Sequence, residues 1–281
     1  MSKLYFENEL GASLDLQSIE TCFYSDLGDL GVEYDASFVR VGDTFIRDYL
    51  NPKQTEFTFK LTFFRPQVYE KVQTVGNFLM SAESLILVYK PDLESGIEYR
   101  REVELTSFVK DTGTSGYLAY TIKLSALSLF YYKRQIKFVI KAYDGEMRYD
   151  FRWDVFFNDY ADRKVDIPAG SHVDVAFDLE IYGYTNNPKI QIISGGEVIN
   201  EITFPVTVEE GEKIIYSSQD KDLKVKKVDS DGNTTNIFNL FSLEDNIFFK
   251  IPKAGATVKF TADDEVLNTI ILTTYNYFKV V

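Results

Sequence analysis

The sequence predicts a mainly β protein: an N-terminal β domain with one short α-helix and an extended hairpin arm, followed by a C-terminal β-sandwich. Three observations carry that reading. Aromatic residues make up 15% of the 281-residue chain, with 23 Phe and 19 Tyr against 7 Pro, a usage suited to half-buried pleated surfaces. Phe57, Phe59, Leu61 and Phe63 alternate with Thr58, Lys60 and Thr62, the period-2 signature of a strand with one buried face. From Asp162 onward, short apolar runs recur between polar turns with no helical period, as a sandwich requires.

The opening 32 residues read as loop-rich with short strands, since Leu4, Phe6, Leu14, Leu16 and Ile19 are broken by Gly11, Gly28 and Gly31. Ser37–Val41 and Thr44–Arg47 pivot on Gly42-Asp43 and predict a hairpin. Phe38, Val39, Val41, Phe45 and Ile46 on it are the candidate contacts to a neighbouring subunit. Pro66 ends the next strand and is expected in the first turn of a helix over Gln67–Met80, where Val68, Val72, Val75 and Leu79 recur at helical spacing. Strands follow at Ser84–Lys90, Glu98–Lys110 and Gly116–Tyr132, the last two divided by a turn-rich loop over 111–116. Asp144-Gly145 between Gln135–Tyr143 and Arg148–Asn158 is a strong hairpin signal.

In the second half, strands are expected at Val173–Tyr184, Lys189–Ile193, Val198–Val208, Lys213–Ser217, Leu223–Val228, Ile247–Ile251, Ala256–Ala262 and Thr269–Val280. The domain boundary is placed at 1–133 and 134–281. The path of the last strand, to the sandwich or back to the first domain, stays open at this point.

Tyr69, Val72, Phe78 and Leu79 on the helix, the run Leu85-Ile86-Leu87 with Tyr89, and the pair Arg100-Arg101 form one set of matches. Leu127-Ser128 with Tyr131-Tyr132, then Ile167-Pro168-Ala169-Gly170, Ile181-Tyr182-Gly183-Tyr184, Asn187-Pro188-Lys189-Ile190 and the stretch Glu210 to Tyr216 continue it. In this order they resemble the distal tail proteins of siphophages. The resemblance implies a galectin-like fold for the sandwich and a homohexameric ring at the tail tip. It also implies as partners the major tail tube protein, the tail-associated hub protein, and a receptor-binding protein or its adaptor. Localisation would be the virion, after synthesis in the host cytoplasm.

Charge and chemistry narrow the alternatives. Asp and Glu number 43 against 30 Lys and Arg, a net charge of −13, which disfavours sequence-specific nucleic-acid binding because phosphates require a basic surface. An acidic lining past which DNA slides is compatible. No apolar run is long enough for membrane insertion, and the opening MSKLYFENELG lacks a signal-peptide core. One cysteine, Cys22, allows no intramolecular disulfide, and one histidine, His172, reads as a surface loop residue rather than a catalytic base. One Cys and one His cannot build a standard zinc site. Asp229 to Asn233 lacks the spacing and closing Glu of a calcium loop and reads as a hairpin turn. Gly113 with Gly116, and Gly195-Gly196, lack the helix and Lys of a phosphate loop. No enzyme activity and no cofactor are therefore expected. Tyr182 and Tyr184, with Trp153, are weak candidates for stacking on a sugar, against packing between sheets. A carbohydrate-binding module for host cell-wall saccharide is accordingly the alternative function.

Overall fold

The computed structural model describes residues 2–28, 30–91, 96–114, 116–139, 164–242, 246–263 and 269–281. The chain divides into two compact units, Met1–Tyr132 with Tyr277–Val281, and Lys133–Asn276. Strands β1 (Lys3–Asn8), β2 (Ser13–Asp15), β3 (Phe23–Ser25), β4 (Tyr34–Val41), β5 (Thr44–Pro52) and β6 (Glu56–Phe64) precede helix α1 (Val68–Ser81). After it come β7 (Leu85–Lys90), β8 (Tyr99–Thr114), β9 (Tyr117–Ala126) and β10 (Phe130–Val139).

The first unit is built on one antiparallel sheet in the order β2-β1-β7-β8-β9-β6-β3. Backbone bonds from Leu16 N–H to Leu4 C=O (3.2 Å) and from Tyr24 N–H to Leu16 C=O (3.0 Å) join its two ends. The sheet thus curls shut, and Phe6 of β1 stacks on Phe59 of β6 with centroids 6.4 Å apart. Phe57, Phe59, Leu61 and Phe63 are all buried, as the alternation requires. Helix α1 contributes Val75 and Leu79 to the same core. It starts one residue later than expected: Gln67 is left-handed (φ 61°), so Pro66 lies in the bend before the helix rather than in its first turn. Strands β4 and β5 pair only with each other and form the arm.

The second unit contains β11 (Lys164–Ile167), β12 (Ala176–Tyr182), β13 (Thr185–Asn186), β14 (Lys189–Ser194), β15 (Glu197–Thr203), β16 (Thr207–Val208), β17 (Lys213–Ser217), β18 (Lys224–Val228), β19 (Thr234–Asn236), β20 (Ala256–Thr261) and β21 (Thr269–Phe278). Sheet β19-β18-β17-β12-β21 and sheet β11-β20-β14-β15 share one core, which makes the unit a β-sandwich. Tyr216 sits in it fully buried, its ring 5.2 Å from Phe177 and its hydroxyl donating to the Ile247 carbonyl at 3.0 Å. The last strand pairs with β12 through Tyr275, and its residues from Tyr277 belong to the first unit.

Several elements differ from the expectation, each for a local reason. The run Gly116–Tyr132 is two strands, because the chain turns at Ser128, whose hydroxyl accepts the Glu102 N–H (3.0 Å) and whose carbonyl accepts Arg101 Nε–H (2.9 Å). Strand β8 continues through the expected loop to Thr114, with a pairing irregularity between Lys110 and Gly113 absorbing the extra residues. Pro205 divides Val198–Val208 into β15 and β16. Ile247–Ile251 is no strand: Ile247, Phe249 and Ile251 are buried, yet its ladder is the single bridge from Ile251 to Val175. The alternation there reports burial, not pairing. Strands β11 and β19 were not expected, being too short to carry a period. The Asp144-Gly145 hairpin, Arg148–Asn158 and Trp153 lie outside the described residues.

Gly255 has φ 87°, and a Cβ there would lie 2.7 Å from Ala169 N and 2.8 Å from Ile167 O. Gly232 has the same φ with nothing within 4 Å. Gly255→Ala is expected to destabilise by at least about 3 kcal/mol and Gly232→Ala by about 1–2 kcal/mol. Urea unfolding of both variants checks the difference.

Candidate assembly interface

The arm is the part of the molecule that does not complete itself. The five sequence-predicted contacts, Phe38, Val39, Val41, Phe45 and Ile46, are all on it and between 52% and 70% exposed. Cross-strand register places Val41 opposite Thr44, Val39 opposite Ile46, Arg40 opposite Phe45 and Phe38 opposite Arg47. Asp48 has no partner in this register and is the extra residue of a bulge, so Ser37 meets Tyr49 and Ala36 meets Leu50. Alternation then sorts the arm into two faces. One carries Val39, Val41, Ile46 and Tyr49. The other carries Phe38 and Phe45 between Arg40 and Arg47, with Leu50 nearer the root. The arginines and the bulge were missed in the sequence, although Arg40 and Arg47 stand at the same two-residue spacing from Phe38 and Phe45 that strand alternation would have placed together.

The root of the arm is fixed. Lys53 N–H donates to the Glu33 carbonyl at 2.9 Å, and Thr55 turns inward to accept a bond from Arg101 Nη2 at 3.1 Å. The Arg101 guanidinium is buried between the rings of Phe57 (5.6 Å) and Phe130 (5.0 Å), and burial pushes its pKa down to about 10. Among the described residues its Nη1 has no hydrogen-bond partner. Its neighbour Arg100 points to the opposite face, donating to Glu7 at 2.6 Å and Glu98 at 3.2 Å, while Lys90 also pairs with Glu98. Burial would raise the Glu98 carboxyl, but hydrogen bonds and charge from Lys90 and Arg100 hold it below the usual carboxylate range. In sequence the adjacent pair gave no sign of these opposed roles.

The remaining candidates sit apart from the arm. Tyr182 ends β12, and Lys213 Nζ stands 5.0 Å from its ring centroid while also donating to Glu180 at 3.0 Å. Tyr184 is 36% exposed and its hydroxyl accepts from Asn186 at 3.2 Å. His172 is exposed, and Cys22 is buried, which pushes its thiol up to about 12. Asp229 accepts the N–H groups of Asp231 (3.0 Å) and Asn233 (2.8 Å), so its carboxylate closes a turn. Among the described residues no group of three or more His, Cys, Asp or Glu could hold a metal, and no helix is long and apolar enough to cross a membrane.

Residues 3–127 match the family model of the distal tail protein, N-terminal domain. The first unit thus carries a distal tail protein N-terminal domain. A search of curated proteins finds no match. Among solved structures, the fold is similar to a chain of the phage P2 baseplate in its activated conformation, with a TM-score of 0.70 and 13% identity over 100% of both chains. It is also similar to SPP1 Dit, described as a paradigm of the hub adsorption apparatus in phages infecting Gram-positive hosts, with a TM-score of 0.62 and 10% identity over 98% and 99% of the two chains.

Two predictions follow from the root and the ion cluster. Arg101→Met keeps the packing between the two rings but leaves the Ser128 carbonyl and the Thr55 hydroxyl without their donor, so it should cost about 1–3 kcal/mol. Arg101→Ala loses the same bonds and leaves a cavity as well, so it should cost about 2–4 kcal/mol more. Chemical denaturation separates the two. The folded-state value of Glu98 lies below its unfolded value near 4.5, so its contribution is present above pH 4.5 and lost as pH falls through the folded value. Glu98→Gln should flatten the fall in thermal midpoint below pH 4.5, which calorimetry across pH 3–6 would measure.

Proposed function

We propose that this chain is a distal tail protein, the non-enzymatic hub of a long-tailed phage tail tip, assembling as a homohexameric ring. The domain 1–133 forms the ring, and the sandwich, 134–281, which we take to be galectin-like, offers the docking sites for receptor-binding proteins or their adaptors. The ring joins the major tail tube protein to the tail-associated hub protein. The observation that carries this reading is an arm with apolar side chains on both faces. A lone two-stranded hairpin is marginal in water, and such surface is what a partner covers. A cyclic ring needs a heterologous contact in which each copy gives one surface and receives another, and a projecting arm supplies the first. Exposed Val198 and Ile199 on the edge strand β15 offer a candidate docking edge on the sandwich. A saccharide-binding role has less support, because Lys213 already lies against the Tyr182 ring; loss of glycan-array binding on Tyr184→Ala would revive it.

Burying Phe38 and Phe45 on assembly should contribute on the order of 1.5–3 kcal/mol each. The double variant Phe38→Ser/Phe45→Ser should therefore shift light scattering and negative-stain images from rings to smaller species. Its thermal midpoint should move little, since both side chains are exposed in the single chain. Rings that form at the same concentration as the native protein would remove the arm from the interface.

A further inference from the structure

A groove of about 700 Å³ lies on the first unit where α1 runs into β7. Its apolar lining includes Met80, Ile86, Leu105 and Leu127, and its charged lining is acidic: Glu83, Glu102 and Glu104. Met80 is 69% exposed there, an apolar side chain without a cover. Among the described residues neither Glu83 nor Glu104 is in an ion pair. The sheet is also incomplete beside it. At Val103, β8 is paired on one side with Leu85 of β7 and on the other with Ala126 of β9. Strand β7 stops there, while β8 continues to Thr114 with β9 alone on its far side. Unpaired strand edges of this kind accept an added strand.

We propose that this groove is the socket for the arm of a second copy, entered by the face that carries Phe38, Phe45, Arg40 and Arg47. The inference rests on the ring reading and deepens it by naming the receiving surface. The chemistry is complementary on both counts. The aromatic rings meet the uncovered apolar lining, and Arg47, which has no ion-pair partner among the described residues, meets Glu83 and Glu104. The opposite face of the arm, with Val39, Val41 and Ile46, offers no cation to answer that rim. Nucleic acid is repelled by the same carboxylates. The arm and the groove are distinct patches on one unit, as a head-to-tail ring requires. With nine residues in β5 at about 3.3 Å each, the arm spans about 30 Å, long enough to cross a subunit boundary.

The test introduces Phe45→Cys and Met80→Cys together, with each single variant as control. The native Cys22 is buried and leaves the engineered thiols as the reactive pair. Mild oxidation of assembled protein should give a disulfide-linked ladder up to a closed ring, absent from both single variants. Arg47→Glu should raise the concentration for half-assembly about tenfold, and combining it with Glu83→Arg and Glu104→Arg should restore the native value. Rings that form without cross-linking, and whose assembly ignores the charge reversals, would overturn the socket while leaving the ring intact. Failure to form any ring, alone or with the tail tube protein, would overturn the ring reading and the socket with it.

Discussion

The constraint on which this molecule turns is that a two-stranded ribbon has no inside. The sheet of the first unit closes through Leu16, brings Phe6 onto Phe59 and buries its inner face in one core. Strands β4 and β5 have only each other. Their hydrophobic residues alternate as in any strand, but with no layer on either side both faces remain in water. A two-stranded element of this kind is marginal in water until another surface covers it. The distal tail protein N-terminal domain matched at residues 3–127 is consistent with that economy, since this unit keeps apolar side chains on a hairpin outside its core.

Adjacent residues at the arm's base divide the labour of holding it. Arg101 points inward, where two rings and two hydrogen bonds fix the guanidinium and, with it, the turn at Ser128 and the inward-facing Thr55. Arg100 points outward into an ion cluster that ties β1, β7 and β8 together. Strand alternation alone produces this opposition. The result is a rigid platform beneath an unsupported arm, which limits where the arm can reach.

Much of the fold was legible because burial imposes periods. The alternation at Phe57 to Phe63, the helical spacing of Val75 and Leu79, and the turn at Gly42-Asp43 each reported a local geometry that the structure contains. Where the reading failed, two different quantities had been conflated. Ile247, Phe249 and Ile251 alternate because their side chains enter the sandwich core, yet pairing needs a neighbouring backbone, and only Ile251 has one. Similarly, Gly116–Tyr132 looked continuous because its apolar pattern is; the break at Ser128 is made by hydrogen bonds to Arg101 and Glu102, which no local pattern reveals.

Sequence by itself determined the class of the fold, the presence of the hairpin and which of its residues are apolar, since these depend on spacings of a few residues and on composition. Tertiary structure decided which of those residues share a face. A single unpaired residue, Asp48, shifts the alternation of β5 against β4 on the root side, so that Tyr49 falls on the face of Val39 and Ile46 and Leu50 on the face of Phe38 and Phe45. It also decided that the strands ending at Leu85 and continuing past Val103 leave an acidic groove with an open edge. The bulge is a break in the period, and the groove arises from segments distant in sequence meeting in space, so no local period encodes either.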